Sequence, residues 1–204
     1  MGEWFRLDHA TGIAMKASDH AKGAPFEVLE NLHGGEKGDQ GEHHYQYHQG
    51  RIYNNLTVVM FMLKDVNPGD GGLTVIPGSH KSNHLWPHEV YPHTQLAQSH
   101  LVHQPSLKAG DMLIFSEALI HGTTYWTGAE DRRLVSFKFC PGHVQYINPS
   151  NPSSSHNLLP YATSELQRQL LDNAWVGRPK VAFPPGVGEP HSCVPSRSVF
   201  HNPI

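Results

Sequence analysis

The sequence predicts a mainly β protein of the sandwich, jelly-roll or small-barrel kind. Two observations carry this expectation. Short β-rich runs recur along the chain, separated by clusters of Gly, Pro, Asn and Asp. There is no internal repeat, no heptad and no long helical period, and the one convincing helix comes late.

Taken in order, "PFEVLENL" (25–32) reads as a strand, and "HHYQYHQGRIYNN" (43–55) as a hairpin turning near Gln49-Gly50. "LTVVMFML" (56–63) is apolar on both faces and predicts a buried strand. "VNPGDGG" (66–72) is a loop, followed by the short strand "LTVIP" and the turn "PGSH". Residues 101–115 give a strand, a Gly110-Asp111 turn and a second apolar strand; "RRLVSFKFC" (132–140) closes the series. A helix is expected over about 163–175. A Ser/Thr cap precedes Glu165, and Leu166, Leu170 and Leu171 share one face. The rest, 176–204, is rich in Pro and Gly and predicts an extended tail lying on the domain or disordered.

Length and charge bound the function. The 204 residues suffice for a single domain, 1–204, with its core at about 25–145. A net charge of −3 gives no basic surface for nucleic acid or an anionic membrane, and no apolar run spans a bilayer. The N-terminus lacks an apolar signal core, and two cysteines make no disulfide framework. The expected compartment is therefore cytoplasmic. Histidine is the unusual entry, at 17 against 15 Lys plus Arg. Most of these are surface or core histidines, but the residue is also the commonest metal ligand.

The chemistry concentrates in "LIHGTTYWTGAEDRRLVS" (119–136). Side chains alternate along a strand, so Arg132, Leu134, Ser136 and Lys138 share one face; Arg133, Val135, Phe137 and Phe139 share the other. The aromatic face is expected in the core. The first face pairs a fixed cation with a hydroxyl four residues on, which suits a small carboxylate. His121, eleven residues before Arg132, ends the preceding apolar run and sets an imidazole near that bound acid. Metal beside a carboxylate clamp in a jelly roll is the arrangement of the non-heme Fe(II) oxygenases.

Two linked stretches, "NNLTVVMFMLKDVNPGDGGLTVIPGSHKSNH" and "LKAGDMLIFSEALIHGTTYWTGAEDRRLVSF", resemble the phytanoyl-CoA dioxygenase family of Fe(II)/2-oxoglutarate enzymes over roughly residues 28–175. The resemblance implies a double-stranded β-helix (a cupin-like jelly roll) with a C-terminal helix. It implies Fe(II) and 2-oxoglutarate as cofactors, with O2 and a small-molecule substrate as partners. His121 matches the distal iron ligand, Arg132 the residue on the 2-oxoglutarate C5 carboxylate, and Ser136 and Thr123 hydroxyls facing that cosubstrate. The family carries a helical region before its first metal motif, whereas only about thirty residues precede His33, so a minimal or truncated form is expected.

One departure stands out. The family's first metal motif is His-x-Asp or His-x-Glu, and neither occurs. His33 in "NLHGGE" is the preferred substitute, because it follows a predicted strand; His43, His44 and His48 fall on the predicted hairpin. Gly35 then stands in the carboxylate position. Either a nearby acid completes the triad, with Glu36 the chosen ligand and Asp39 next in sequence, or the position is open as in the related halogenases. The leading expectation is hydroxylation of a small organic substrate. The alternatives are a halogenase and a catalytically inactive jelly-roll binding protein.

Overall fold

The computed structural model of the chain describes residues 4–16, 32–34, 45–82, 100–177 and 180–183. The predicted strand at 25–32 lies outside these apart from Leu32. Among the described residues there are eight strands: β1 (Phe5–Met15), β2 (Tyr45–His48), β3 (Arg51–Asn54), β4 (Thr57–Met62), β5 (Gly72–Val75), β6 (Met112–Ser116), β7 (His121–Thr124) and β8 (Arg132–Pro141). A short helix, α1 (Glu165–Leu171), opens on a capping box in which Ser164 and Gln167 exchange side-chain and backbone hydrogen bonds. It is shorter than the thirteen residues expected. Among the described residues no helix is long and apolar enough to cross a membrane.

The strands form the two facing antiparallel sheets of a jelly roll. The larger has the order β1-β8-β4-β6. The smaller pairs β5 with β7 and is widened by isolated bridges, His103 to Val75 on one side and His33 to His121 on the other. β2 and β3 form a separate hairpin around Gln49-Gly50, as the sequence predicts, with exposed Tyr47 and Ile52. Between the sheets, Val58, Met60 and Met62 of β4 and Leu134 of β8 meet Leu73 and Val75 of β5, with Trp126 closing the cluster. Trp126 is thus core packing, and its indole N–H donates to the Glu130 carbonyl at 2.6 Å.

Two sequence expectations are corrected here. β1 was not anticipated as a strand, because "FRLDHATGIAM" alternates poorly; it nevertheless pairs with β8 along its whole length. The aromatic face of β8, expected in the core, is also not the buried one. Arg132, Leu134 and Ser136 are buried between the sheets, while Phe137 and Phe139 are only partly buried on the outer face. There Phe137 packs edge-on against Phe61, with ring centroids 6.0 Å apart, and Phe139 against Phe5 at 5.9 Å. A barrel that must hold a polar site inside turns its polar row inward, and the aromatic row covers the outside.

The β1–β8 ladder carries a bulge between Leu7 and His9, which turns Asp8 out of register. The fully buried Asp8 carboxylate accepts hydrogen bonds from Arg6 (3.0 Å), His9 (2.7 Å) and the backbone N–H of Tyr146 (2.9 Å) and Ile147 (3.2 Å). Arg6 in turn donates to Ser155 at 2.9 Å and to the Asp172 carbonyl at 3.0 Å. Burial alone would raise the Asp8 pKa, but the bonds from His9 and Tyr146 and the nearby Arg6 charge hold it below the usual carboxylate range. One carboxylate therefore ties the first strand to the segment that leads into α1. Asp8→Ala is expected to destabilise the protein by about 3–5 kcal/mol, because it leaves the buried Arg6 unpaired. Urea unfolding checks this, and a loss below about 1 kcal/mol would contradict it.

Candidate metal centre

The site is built where the chain crosses from the larger sheet to the smaller. β6 ends at Ser116, and a tight turn follows. Leu119 N–H donates to the Ser116 carbonyl at 2.9 Å, and Glu117 N–H donates to the Leu56 carbonyl at 2.9 Å. The turn leaves Glu117 only 3% exposed. His121 does not end β6 but opens the separate strand β7 beyond this turn.

His121 begins that strand, buried, with Phe115 edge-on at 5.0 Å. Its Nδ1 lies 2.7 Å from the Leu119 carbonyl. A carbonyl only accepts, so Nδ1 carries the proton and Nε2 keeps its lone pair for a metal. Burial lowers the His121 pKa to about 4, so the imidazole is neutral at pH 7, as a ligand must be.

His33 is held opposite by reciprocal backbone hydrogen bonds: each residue's N–H donates to the other's carbonyl at 2.8 Å. The two rings stand 4.1 Å apart, centroid to centroid. Gly34 makes this approach possible, since a Cβ there would lie 2.3 Å from the Leu119 carbonyl oxygen. The Nε2 atoms of His33 and His121 are each 3.8 Å from Glu117 Oε1. Among the described residues, these three side chains form a group whose ligand atoms all lie within 4.8 Å of one another. Two imidazoles and one carboxylate on adjoining backbone are a donor set for a divalent ion such as iron. Burial pushes the Glu117 carboxyl up, but the Lys138 ammonium, 2.8 Å away, and the two imidazoles hold it below the usual range.

Arg132 and Ser136 line the same interior face of β8, with Lys138 two residues further. Arg132 is 3% exposed, and among the described residues its Nε has no hydrogen-bond partner; the Ser136 hydroxyl and Glu117 Oε2 are likewise buried without one there. The Arg132 Nη1 meets the Met15 sulfur at 3.4 Å. Burial lowers its pKa to about 10, so it remains a cation at neutral pH. The guanidinium rests on Gly72, where a Cβ would come within 2.8 Å of Nε. A buried cation without an acceptor is costly. The orphaned Arg132 N–H and Ser136 hydroxyl fit a bound anion such as a carboxylate, and the orphaned Glu117 oxygen fits a cation.

Of the residues in the sequence reading, the structure brings His33 and His121 together, and sets Arg132 and Ser136 on the interior face of β8, whose Lys138 reaches Glu117 between the histidines. Thr123 lies two residues along β7 from His121, on the same face, opposite Leu73. His48 stands exposed at the tip of the β2–β3 hairpin. Glu36, chosen as the third ligand, lies outside the described residues, as do Gly35, Asp39, His43 and His44. The sequence reading does not name Glu117. Its signal was an acid inside the apolar run "IFSEALI", four residues before a candidate ligand.

Comparison with known families now decides the identity. The family model for phytanoyl-CoA dioxygenase (PhyH) matches residues 30–134, just over half of the chain. The chain belongs to the PhyH family. No curated protein matches it. Among solved structures, HygX from Streptomyces hygroscopicus with iron bound is similar at 24% identity and a TM-score of 0.57, over 72% of this chain and 63% of that one. HygX with nickel and 2-oxoglutarate bound gives 23% identity and a TM-score of 0.56, over 72% and 60%. HygX with nickel, 2-oxoglutarate and hygromycin B bound gives 24% and 0.55, over 72% and 61%. The PhyH chain described here thus spans about 60% of the length of these structures.

Two outcomes are expected. Glu117→Gln should weaken divalent-metal binding by more than the roughly 10–100-fold that loss of an outer-shell partner costs, as read by calorimetric titration. The metal-free protein should also lose stability as pH falls from about 6.5 toward 4. His121 binds its proton in the unfolded chain across that window and resists it when folded, with its pKa lowered to about 4. Thermal unfolding of the metal-free protein against pH checks this, and a flat profile in that range would contradict it.

Proposed function

We propose that this PhyH-family chain is an Fe(II)- and 2-oxoglutarate-dependent oxygenase that hydroxylates a small organic substrate. The observation that supports this best is the buried Arg132 guanidinium, whose Nε has no hydrogen-bond partner among the described residues and whose Nη1 meets a sulfur rather than an oxygen, on the strand face that also reaches the Glu117 carboxylate through Lys138. In this reading His33, Glu117 and His121 hold the iron. Arg132 and Ser136 hold the distal carboxylate of 2-oxoglutarate, with the Thr123 hydroxyl as a further contact. When bound, iron and 2-oxoglutarate supply O2-driven oxidation of a substrate C–H bond, with decarboxylation of 2-oxoglutarate to succinate and CO2.

The remaining work belongs to the protein. Arg132 and Ser136 fix the cosubstrate's register against the metal donors, so its reactive end is presented in one orientation. Leu134, Val75 and Phe115 close the interior around it and exclude water. His33 is the exposed member of the group, with its side chain 36% accessible, so substrate approaches from its side. Glu117 gives the donor set a carboxylate, which favours hydroxylation over the halogenase reading with its open position.

The test is succinate formation by the iron-loaded protein with 2-oxoglutarate, O2 and a panel of small organic substrates. Arg132→Ala is expected to weaken 2-oxoglutarate binding by about 2–5 kcal/mol, as for loss of one partner of a buried charged pair. Arg133→Ala should leave it nearly unchanged, since Arg133 is exposed on the outer face with its partner Asp131. Equal losses in both variants would show that the cosubstrate does not use the interior face of β8. No succinate with any substrate and no binding of 2-oxoglutarate would support the inactive binding protein instead.

A further inference from the structure

We propose that Lys138 is a positioning residue for the metal centre, holding the Glu117 carboxylate in the orientation that lets it act as a ligand. The inference rests on the metal-centre reading above. Lys138 lies on β8, opposite Val58 of β4 and His9 of β1, on the interior face that carries Arg132 and Ser136. Its Nζ donates to Glu117 Oε1 at 2.8 Å. The other carboxylate oxygen, Oε2, is buried without a partner.

The geometry makes this contact more than a chance ion pair. Glu117 sits in a turn, not in a strand ladder, so the regular backbone does not fix its side chain. Among the described residues, Lys138 makes the one side-chain hydrogen bond found to it. The same Oε1 lies 3.8 Å from the Nε2 of His33 and from that of His121. One oxygen thus faces both imidazoles while an ammonium grips it from β8. Removing Lys138 leaves an almost fully buried carboxylate without its counter-charge. Such a group turns away or recruits another partner. An ammonium near a dication also repels it, and this works against the proposed role. Metal affinity decides which effect prevails.

The sequence resemblance gives roles to His121, Thr123, Arg132 and Ser136 and none to Lys138. The arrangement has a physical reason in this chain. The carboxylate comes from the turn before His121, where among the described residues no backbone group hydrogen-bonds to it, and β8 supplies that support two residues beyond Ser136.

The test is calorimetric titration of Ni(II), a redox-inert probe, into the chelator-stripped full chain. Wild type, Lys138→Met, Lys138→Arg, Glu117→Gln and the double variant Glu117→Gln/Lys138→Met are compared. Lys138→Met keeps an unbranched stem and should weaken Ni(II) binding by about 10–100-fold, the usual effect of losing an outer-shell partner. Lys138→Arg restores a donor and should recover most of that loss. In the Glu117→Gln background the Met substitution should add little, because Lys138 acts through Glu117. Lys138→Met binding Ni(II) as tightly as wild type, or more tightly, would overturn the proposal, as would an equal loss in the Glu117→Gln background. If the wild type itself takes up no Ni(II), the metal-centre reading fails together with this one. If Glu117→Gln weakens binding and Lys138→Met does not, only the role of Lys138 is lost. Circular dichroism of each variant at the titration temperature confirms that it is folded.

Discussion

The reciprocal backbone hydrogen bonds between His33 and His121 are the constraint on which the site depends. A metal ligand on a loose segment loses entropy each time it is recruited. Here a segment far from β7 in sequence is pinned to its edge by two 2.8 Å bonds, and both imidazoles are presented side by side. Gly34 lets the backbones meet, and the Leu119 carbonyl sets the tautomer of His121. Glu117 then needs only to project from the turn that joins the sheets. The ligand geometry follows from how the chain passes between two layers.

The buried charges divide into two kinds. Around Asp8 every acceptor is used: two side chains and two backbone N–H groups converge on one carboxylate, and the network joins β1 to the C-terminal segments. Arg132, Ser136 and Glu117 differ, because each keeps a buried polar atom without a partner. A folded domain has a stability of only about 5–15 kcal/mol, so it tolerates few such groups without a return. Arg132 and Ser136 share the interior face of β8, and Glu117, in the turn after β6, is tied to that face through Lys138. In the proposed function these are the groups that bound ligands satisfy.

Much of this was legible in the sequence. The spacing of His121, Arg132 and Ser136 is set by a strand-to-strand connection and by alternation along β8, both short-range features. The buried β4 and the β2–β3 hairpin were readable for the same reason. What was not legible depended on long-range packing. The row of Phe137 and Phe139 reads as the core face because it is aromatic, yet those rings are only partly buried, and the row bearing Arg132 faces the second sheet. β1 lacks alternation and is a strand because β8 offers it a ladder. Glu117 matches no metal motif by spacing to His33. It becomes a candidate only when the turn after β6 brings it to within 3.8 Å of both histidines.

The most direct measurement is an anaerobic crystal structure of the protein loaded with Fe(II) and 2-oxoglutarate. The account predicts one iron at about 2.0–2.2 Å from the Nε2 of His33, the Nε2 of His121 and an oxygen of Glu117, the usual range for such metal–ligand bonds. It also predicts the distal carboxylate of 2-oxoglutarate on Arg132. Iron bound without Glu117, or 2-oxoglutarate bound away from Arg132, would contradict it.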